Sequence, residues 1–462
     1  MDRDDGRDAI SNLPDSVLLH ILSFLPPRDA VRTVMVPGFR YLWTSTRHLS
    51  FDHRPYHDRK KLETAFEVDD KFVDFTDHVL TLHESPTIDS FRLNLNCASE
   101  VDPHDSENEE YVTPVRRRTW TKLDTCSSLV ELKLASCVVR PVAGRVQLRS
   151  LRRLFMNKID LTENKMADIP SGSPPLKELS LEDCYGLHEP KFCCGPSIEE
   201  LNLERCGGLE KLDLTRSDIK HLMIDHYGDL ELVCPNVKIL DIAGCLDYVK
   251  VTDMSSLVDT SLCFSDYKIY PPGEYCEFRL LLEKLSCSTY FMPCDWCILV
   301  LTMWELTNHP CPSFAWKHVT LQMHLRKQYV FGICSLLRNS HFLETLTIYV
   351  YPERDDNKAK WRSVDGTFPC LEHQLKHVKI YGYVLEPDVN ELIEFLFKNA
   401  QVLEKMEISI EKTLQQTCSK YMFSSDIGHP SKDYCTSDAL LEFSQKFLSF
   451  PRASTRAVLH LG

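Results

Sequence analysis

Apolar residues recur along this chain at two different periods. Between residues 12 and 31, in NLPDSVLLHILSFLPPRDAV, Val17, Leu18, Ile21, Leu22 and Leu25 follow at steps of three and four, the period of one helical face. Pro14 suits the first turn of such a helix, and Asp15 complements the positive end of its dipole. Pro26-Pro27 predicts its end, and a second short helix is predicted from Arg28-Asp29, carrying Ala30, Val31, Val34 and Met35. Leu19 and Phe24 lie off the main stripe, so the first helix is apolar on more than one side. A three-helix unit of about 40 residues cannot bury that much surface by itself. Either the rest of the chain covers it or a partner does.

The second period belongs to strands. LVELKLASC from Leu129, LKELSLEDC from Leu176, IEELNLERC from Ile198 and VKILDIAGC from Val237 share one template. Each has an aliphatic residue at offsets 0, +3 and +5 and a cysteine at +8: Cys137, Cys184, Cys206 and Cys245. Offsets +3 and +5 place two side chains on one face of a strand, and +8 brings a small residue inward behind it. This is the leucine-rich-repeat pattern, one strand per repeat. The register without its cysteine appears at Ile88/Phe91/Leu93, Leu151/Leu154/Met156, Leu209/Leu212/Leu214 and Ile219/Leu222/Ile224. With longer spacings it continues at Leu282/Leu285/Cys287, Trp316/Val319/Leu321 and Leu343/Leu346/Ile348. The steps from Leu129 to Leu151 and on to Leu176 fall within the roughly 20–29 residues of such repeats. After about residue 260 the period loosens.

Between residues 373 and 412 the strand template recurs at Leu375/Val378/Ile380 and Leu403/Met406/Ile408. Asp388 with Glu391 three residues later predicts a capping box, and Leu392, Ile393, Leu396 and Phe397 the buried face of a helix ending at Asn399. Strand, helix and strand would thus close the array. A last amphipathic helix, roughly Asp438 to Phe450, is predicted to stop at Pro451 and cap the open end of the core.

Charge narrows the class of partner. The 462 residues carry a net charge of −14, which argues against a nucleic-acid backbone as partner. The basic run VRRRTW at 115–120 directly follows the acidic SENEEY at 106–111, so the stretch 99–118 reads as a solvated insertion between strands. No positive segment followed by an apolar core predicts a signal peptide, and no apolar run approaches the roughly 18 residues of a membrane span. The 19 cysteines are therefore expected to be reduced thiols of a cytoplasmic or nuclear protein, behaving as small buried hydrophobes.

Candidate chemistry is sparse. No phosphate-binding loop, dinucleotide fingerprint, H-E-x-x-H or G-x-S-x-G motif is present, and no catalytic residue or cofactor is predicted. Cys294-Asp-Trp-Cys297 near Cys287, His309 and Cys311 has two ligands at zinc spacing, against the reading of buried thiols in a cysteine-rich core; no metal is expected. His373 and His377 would suit a metal only on one helix, and Cys193-Cys194 has no visible partner. A binding surface is the better candidate. Offsets +2 and +4 of the repeats face the concave side and read Glu131/Lys133, Arg153/Phe155, Glu178/Ser180, Glu200/Asn202, His221/Met223 and Ile239/Asp241. From these, Arg153, Phe155, Glu178, Asn202, His221, Met223 and Ile239 are the target-binding candidates. Phe155, Met223 and Ile239 are apolar where a solvated face would be polar. Sideways packing between strands is the competing explanation for them.

The opening segment ISNLPDSVLLHILSFLPPRDAVRT…RYLWTSTRHLSFD, with Leu13-Pro14, Ile21-Leu22, Leu25-Pro26, Asp29-Ala30 and Leu42-Trp43 in order, resembles the F-box. The run Leu375, Val378, Ile380, Gly382, then FLFKNA and LEKMEI, resembles an FBD segment. The whole chain is thus similar to the plant F-box/LRR/FBD family. One departure stands out: VMVPGFR, with Pro37-Gly38, replaces the family's Ser-(Lys/Arg)-Arg-Trp-Arg-like run before Tyr41 and is one residue shorter.

The resemblance implies an α/β fold: a short three-helix F-box at 9–50, then an irregular leucine-rich-repeat solenoid at 75–365. An FBD-like strand-helix-strand unit at 366–412 and a capping helix and tail at 436–462 complete it. It implies that the F-box docks the Skp adaptor, and through it a cullin, of an SCF-type (Skp–cullin–F-box) ubiquitin ligase. Adaptor contacts then fall to Leu13, Pro14, Leu18, Ile21, Leu22, Leu25, Val31 and Trp43, some of which must instead hold the helices together. The repeats would bind a target protein of unknown identity, without catalysis. The alternatives are an F-box-derived interaction scaffold that no longer enters a ligase, and a small-ligand sensor, for which no polar pocket can be read.

Overall fold

The computed structural model describes residues 10, 13–25, 27–36, 39, 41–52, 70–85, 87–95, 126–136, 148–161, 173–190, 198–244, 249–264, 276–351, 366–410 and 437–461. The 99–118 insertion, Pro37-Gly38, Cys137, Cys193-Cys194 and Cys245 lie outside them. The chain divides into two compact units, Met1–Leu209 with Arg216–Ile219, and Glu210–Thr215 with Lys220–Gly462.

The first unit opens with α1 (Asp15–Leu22) and α2 (Pro27–Arg32), followed by single 3-10 turns at Thr33–Met35 and Leu42–Ser45. Pro14 is the N-cap of α1, one step before the first turn. The helix also ends earlier than the two prolines predict. Phe24 N–H and Leu25 N–H bond to the carbonyls of Ile21 and Leu22, three residues back, so the chain tightens before Pro26 is reached.

Parallel strands follow: β1 (His48–Asp52), β2 (Ser90–Asn94), β3 (Glu131–Ala135), β4 (Arg153–Asn157), β5 (Glu178–Glu182) and β6 (Glu200–Glu204). The sheet begins at His48, well before residue 75. Helix α3 (Asp70–Leu82) covers its first strands through Phe72, Val79 and Leu80, with Phe75 edge-on to Phe51 at 6.3 Å. The inward positions of the strand template are buried. Leu132, Leu154, Leu179 and Leu201 stack in one buried row, and Leu134, Met156, Leu181 and Leu203 in the next.

A step outside the template lets the eighth position enter the core. Ser136, Lys158, Asp183 and Arg205, all at offset +7, have φ between 50° and 53°. That left-handed residue turns the chain, so Ile159, Cys184 and Cys206 at +8 point inward and are buried. The thiols of Cys184 and Cys206 donate to the carbonyls of Met156 and Leu181 at 3.6 and 3.5 Å. Cysteine fits because it is small, apolar and still able to satisfy one carbonyl.

The second unit has a main parallel sheet and a smaller one. β8 (His221–His226), β10 (Ile239–Gly244), β12 (Asp259–Phe264), β13 (Tyr290–Met292), β14 (His318–Met323), β15 (Thr345–Val350), β16 (His377–Gly382), β17 (Lys405–Ser409) and β18 (Val458–Leu461) run side by side. β7 (Lys211–Asp213), β9 (Leu230–Val233) and β11 (Val249–Asp253) form a separate three-stranded sheet. The Leu209/Leu212/Leu214 register therefore makes a strand of the smaller sheet. At offset +7 behind β10 stands Gly244 at φ +109°, where a Cβ would lie 2.0 Å from the His226 carbonyl oxygen.

Helices explain the loosened period. α4 (Cys276–Leu285), α5 (Asp295–Leu306), α6 (Val330–Asn339), the short α7 (Pro369–His373) and α8 (Pro387–Asn399) occupy the crossings between strands. Leu282 and Leu285 are buried in α4, and Cys287 is exposed in the turn after it, so this register is helical rather than a strand. A spacing of three serves both templates; the strand here is Tyr290–Met292. Trp316 is stacked between Phe291 at 3.8 Å and Phe314 at 3.9 Å, and its indole N–H donates to the Leu285 carbonyl. Gly332 allows α6 to approach α5 closely, since a Cβ there would lie 2.0 Å from the Ile298 carbonyl oxygen.

At the end of the chain Leu392, Ile393, Leu396 and Phe397 form the buried face of α8 as the spacing predicts. Its N-cap is Glu386, without a side-chain cap bond, and Asp388 lies inside the first turn, so the capping box does not form. The last helix, α9 (Ser437–Ser449), sets Phe447 5.3 Å from Phe397, so it joins the helical layer. The sheet ends instead in β18, paired with β17.

Candidate functional site

Two surfaces carry the candidate residues. The first is α1, whose apolar positions divide between two sides. Leu18 and Leu22 are each 1% exposed and, with Ala30, Phe39 and Trp43, make the small core of the opening segment. The other side presents Leu13, Val17, Ile21 and Leu25, all between 36% and 41% exposed, with Phe24 at 74%. Met35 and Tyr41 also stand largely in solvent. Pro14 is exposed and Val31 half-buried.

Of the expected adaptor contacts, Leu18, Leu22 and Trp43 are buried within the opening segment. Leu13, Pro14, Ile21 and Leu25 lie on the open side. Val17, Phe24, Met35 and Tyr41 belong to the same exposed set and were not among the expected contacts. Periodicity could not divide them, because a helix apolar on both sides gives one broad stripe.

The second surface is the strand face opposite the core. In the first unit Arg153 pairs with Glu131 at 2.9 Å, and Lys133 reaches Glu131 at 3.1 Å. The Lys133 ammonium also lies 4.6 Å from the centre of the Phe155 ring. Phe155 is thus half-buried beneath a cation rather than a free apolar anchor. Burial pushes the Glu131 carboxyl up, but Lys133 and Arg153 outweigh it and hold it below its usual range. Glu178 is pushed up by burial and by neighbouring Glu200. Asn202 donates to the Ser180 hydroxyl at 3.0 Å. This face is polar and acidic.

In the second unit His221 and Asp241 meet at 2.9 Å, Met223 is half-buried and Ile239 exposed. Burial and Asp241 together push the Asp259 carboxyl up. Farther along, Tyr349 and Tyr381 stand 5.1 Å apart, and the Tyr381 hydroxyl bonds to Glu407 at 3.0 Å. These two tyrosines occupy offset +6. Reading only +2 and +4 misses them, although +6 points to the same side of a strand.

Among the described residues no group of three or more His, Cys, Asp or Glu is placed to hold a metal ion, and no helix is long and apolar enough to cross a membrane. His309 accepts from or donates to the Thr307 hydroxyl, and His373 lies beside Glu372.

Three family models match segments of the chain. The F-box domain matches residues 10–48, the segment of α1, α2 and Trp43. The description "At1g61320/AtMIF1, LRR domain" matches 120–242, and FBD matches 365–408. The chain thus carries an F-box, a leucine-rich-repeat region and an FBD segment. It is 25% identical to the putative F-box/LRR-repeat protein At5g02930 of Arabidopsis thaliana over 91% of each chain. It is 27% identical to the Arabidopsis F-box/LRR-repeat protein At5g02910, over 79% of this chain and 80% of that one. The F-box/FBD/LRR-repeat protein At4g00160, also of Arabidopsis, is 31% identical over 38% of this chain and 41% of its own. In the F-box the exposed set of α1 now has a context: an apolar stripe on a helix whose opposite side is already packed.

Proposed function

We propose that this F-box protein is a non-catalytic substrate-recognition subunit of an SCF-type ubiquitin ligase, acting in the cytoplasm, the nucleus or both. The F-box docks a Skp-type adaptor, and through it a cullin, while the repeat face binds a target protein. The observation that carries this reading is the exposed row Leu13, Val17, Ile21, Phe24 and Leu25 beside the buried Leu18 and Leu22. Such a row is stable in water only at a cost that a partner's apolar surface removes, about 25 cal/mol for each Å² covered. Transfer of ubiquitin then needs only proximity: a link that holds the target near a charged enzyme raises the effective concentration of the reacting groups.

A second reading, the interaction scaffold that does not enter a ligase, is favoured by one feature. The segment at Leu42–Ser45 is a single 3-10 turn instead of a third α-helix. The two readings separate on co-expression of the chain with a Skp-type adaptor and co-purification. Recovery of the adaptor with the unmodified chain supports the ligase reading, and its absence supports the scaffold.

A further inference from the structure

Cys294 and Cys297 bracket the first turn of α5, where the α/β crossing after β13 begins. Cys294 is the N-cap, with extended backbone at φ −82° and ψ 172°, and so its side chain leans back toward the helix start. Its sulfur lies 3.6 Å from that of Cys297. The Phe264 backbone N–H, at the end of β12, donates to the same Cys294 sulfur at 3.3 Å. Trp296, between the two cysteines, is fixed edge-on to Phe264 at 5.7 Å and to Phe278 at 5.2 Å.

We propose that Cys294 and Cys297 are a redox-active dithiol, which hydrogen peroxide converts into an intramolecular disulfide. Two groups three residues apart at a helix start, one of them outside the helix, can close to a disulfide without moving the strands on either side. The thiols of Cys184, Cys206, Cys234 and Cys334 are instead held protonated, because burial pushes them upward. Burial acts on Cys294 in the same direction, but bonds from the Cys297 thiol and the Phe264 N–H outweigh it and hold Cys294 at about 7. Cys297 is pushed well up by burial and by its neighbour, so Cys294 is the nucleophile and Cys297 the resolving thiol.

The step balances with peroxide as oxidant. The Cys294 thiolate attacks one peroxide oxygen, the O–O bond breaks, and Cys294 becomes a sulfenic acid while the departing oxygen takes up a proton and leaves as water. Cys297 sulfur then attacks the sulfenic sulfur, its proton leaves with the hydroxyl as a second water, and the S–S bond forms. Two thiols lose two electrons, and one peroxide gains them. The Cys294 residue is 7% exposed, so the oxidant must be a small molecule rather than a protein thiol.

The test uses the full native chain and a graded series of hydrogen peroxide, with alkylation of the remaining thiols and peptide mass mapping. A 294–297 disulfide should appear at a peroxide dose about tenfold below that which oxidises the exposed Cys287, and dithiothreitol should reverse it. Cys297→Ser should leave Cys294 as a sulfenic acid that dimedone traps. The inference is overturned if both cysteines stay alkylatable while Cys287 is oxidised, or if Cys294 links to Cys263 instead. The mapping of the unmodified chain decides the matter by itself if Cys297→Ser does not fold.

Discussion

Ile21 and Leu22 are neighbours in α1, about 100° apart around its axis, yet Leu22 is 1% exposed and Ile21 38%. Their roles should separate on substitution. Leu22→Ala removes buried methyl groups beside Leu18 and Trp43 and should cost about 2–5 kcal/mol in denaturant unfolding. Ile21→Asp removes nothing from that core and should cost about 1 kcal/mol or less. Equal losses from the two would mean that the helix is rotated from the orientation described.

Stability should fall in alkaline solution because of the repeat cysteines. An ordinary thiol titrates near 9.0, whereas burial raises Cys184 to about 11 and Cys206 to about 12. The folded chain therefore holds these protons after the unfolded chain has released them. Their contribution is complete below pH 9 and is lost as pH rises from there toward 11 and 12. Thermal melting across that window should decline less steeply for Cys206→Ala than for the unmodified chain. Identical slopes would remove the thiol from the explanation.

How much of this was legible before the structure depends on whether a spacing has one meaning or two. The 0, +3, +5 register places Leu179 and Leu201 correctly because the strands it marks carry polar residues at +2 and +4. Leu282 and Leu285 keep the spacing of three and are helical, since a helix face uses that step too. The sequence Ser23-Phe24-Leu25 hides the end of α1 because the turn is made by i to i+3 bonds ahead of the prolines. Helix α3 and strand β1 were missed for a different reason. Their apolar residues, Phe72, Phe51 and Phe75 among them, pair with each other across a long sequence separation rather than repeating a local template.

The face candidates divide in the same way. Position could be read; surroundings could not. Phe155 stands at +4 as expected, but the Lys133 ammonium over its ring comes from the adjacent strand.

Target capture should report on each strand face separately. Phe155→Ala, in the first unit, and Met223→Ala or the pair Tyr349→Ala and Tyr381→Ala, in the second, each keep the backbone and the inward rows. Pull-downs under proteasome inhibition, compared by quantitative mass spectrometry, should lose the same proteins for whichever unit carries the target site, with adaptor recovery unchanged. Loss of adaptor and targets together would indicate unfolding.

Gly332→Ala tests the packing of α5 on α6. Its new methyl would meet the Ile298 carbonyl oxygen at 2.0 Å, backbone that cannot rotate away. The helices must separate, at about 1–3 kcal/mol. Gly207→Ala, with open space around its position, is the control and should unfold within about 0.5 kcal/mol of the unmodified chain.

Titrating the purified chain into a Skp-type adaptor decides whether the open side of α1 is a docking surface. Binding should be saturable, and Ile21→Asp should weaken it by at least about tenfold, or 1.4 kcal/mol, while the melting temperature of the free chain hardly moves. Replacing VPGF at 36–39 with VSKRW, which removes two residues of low helix propensity, should tighten it. Undiminished binding by Ile21→Asp, or no binding by the unmodified chain at any concentration, would contradict a docking role for that side.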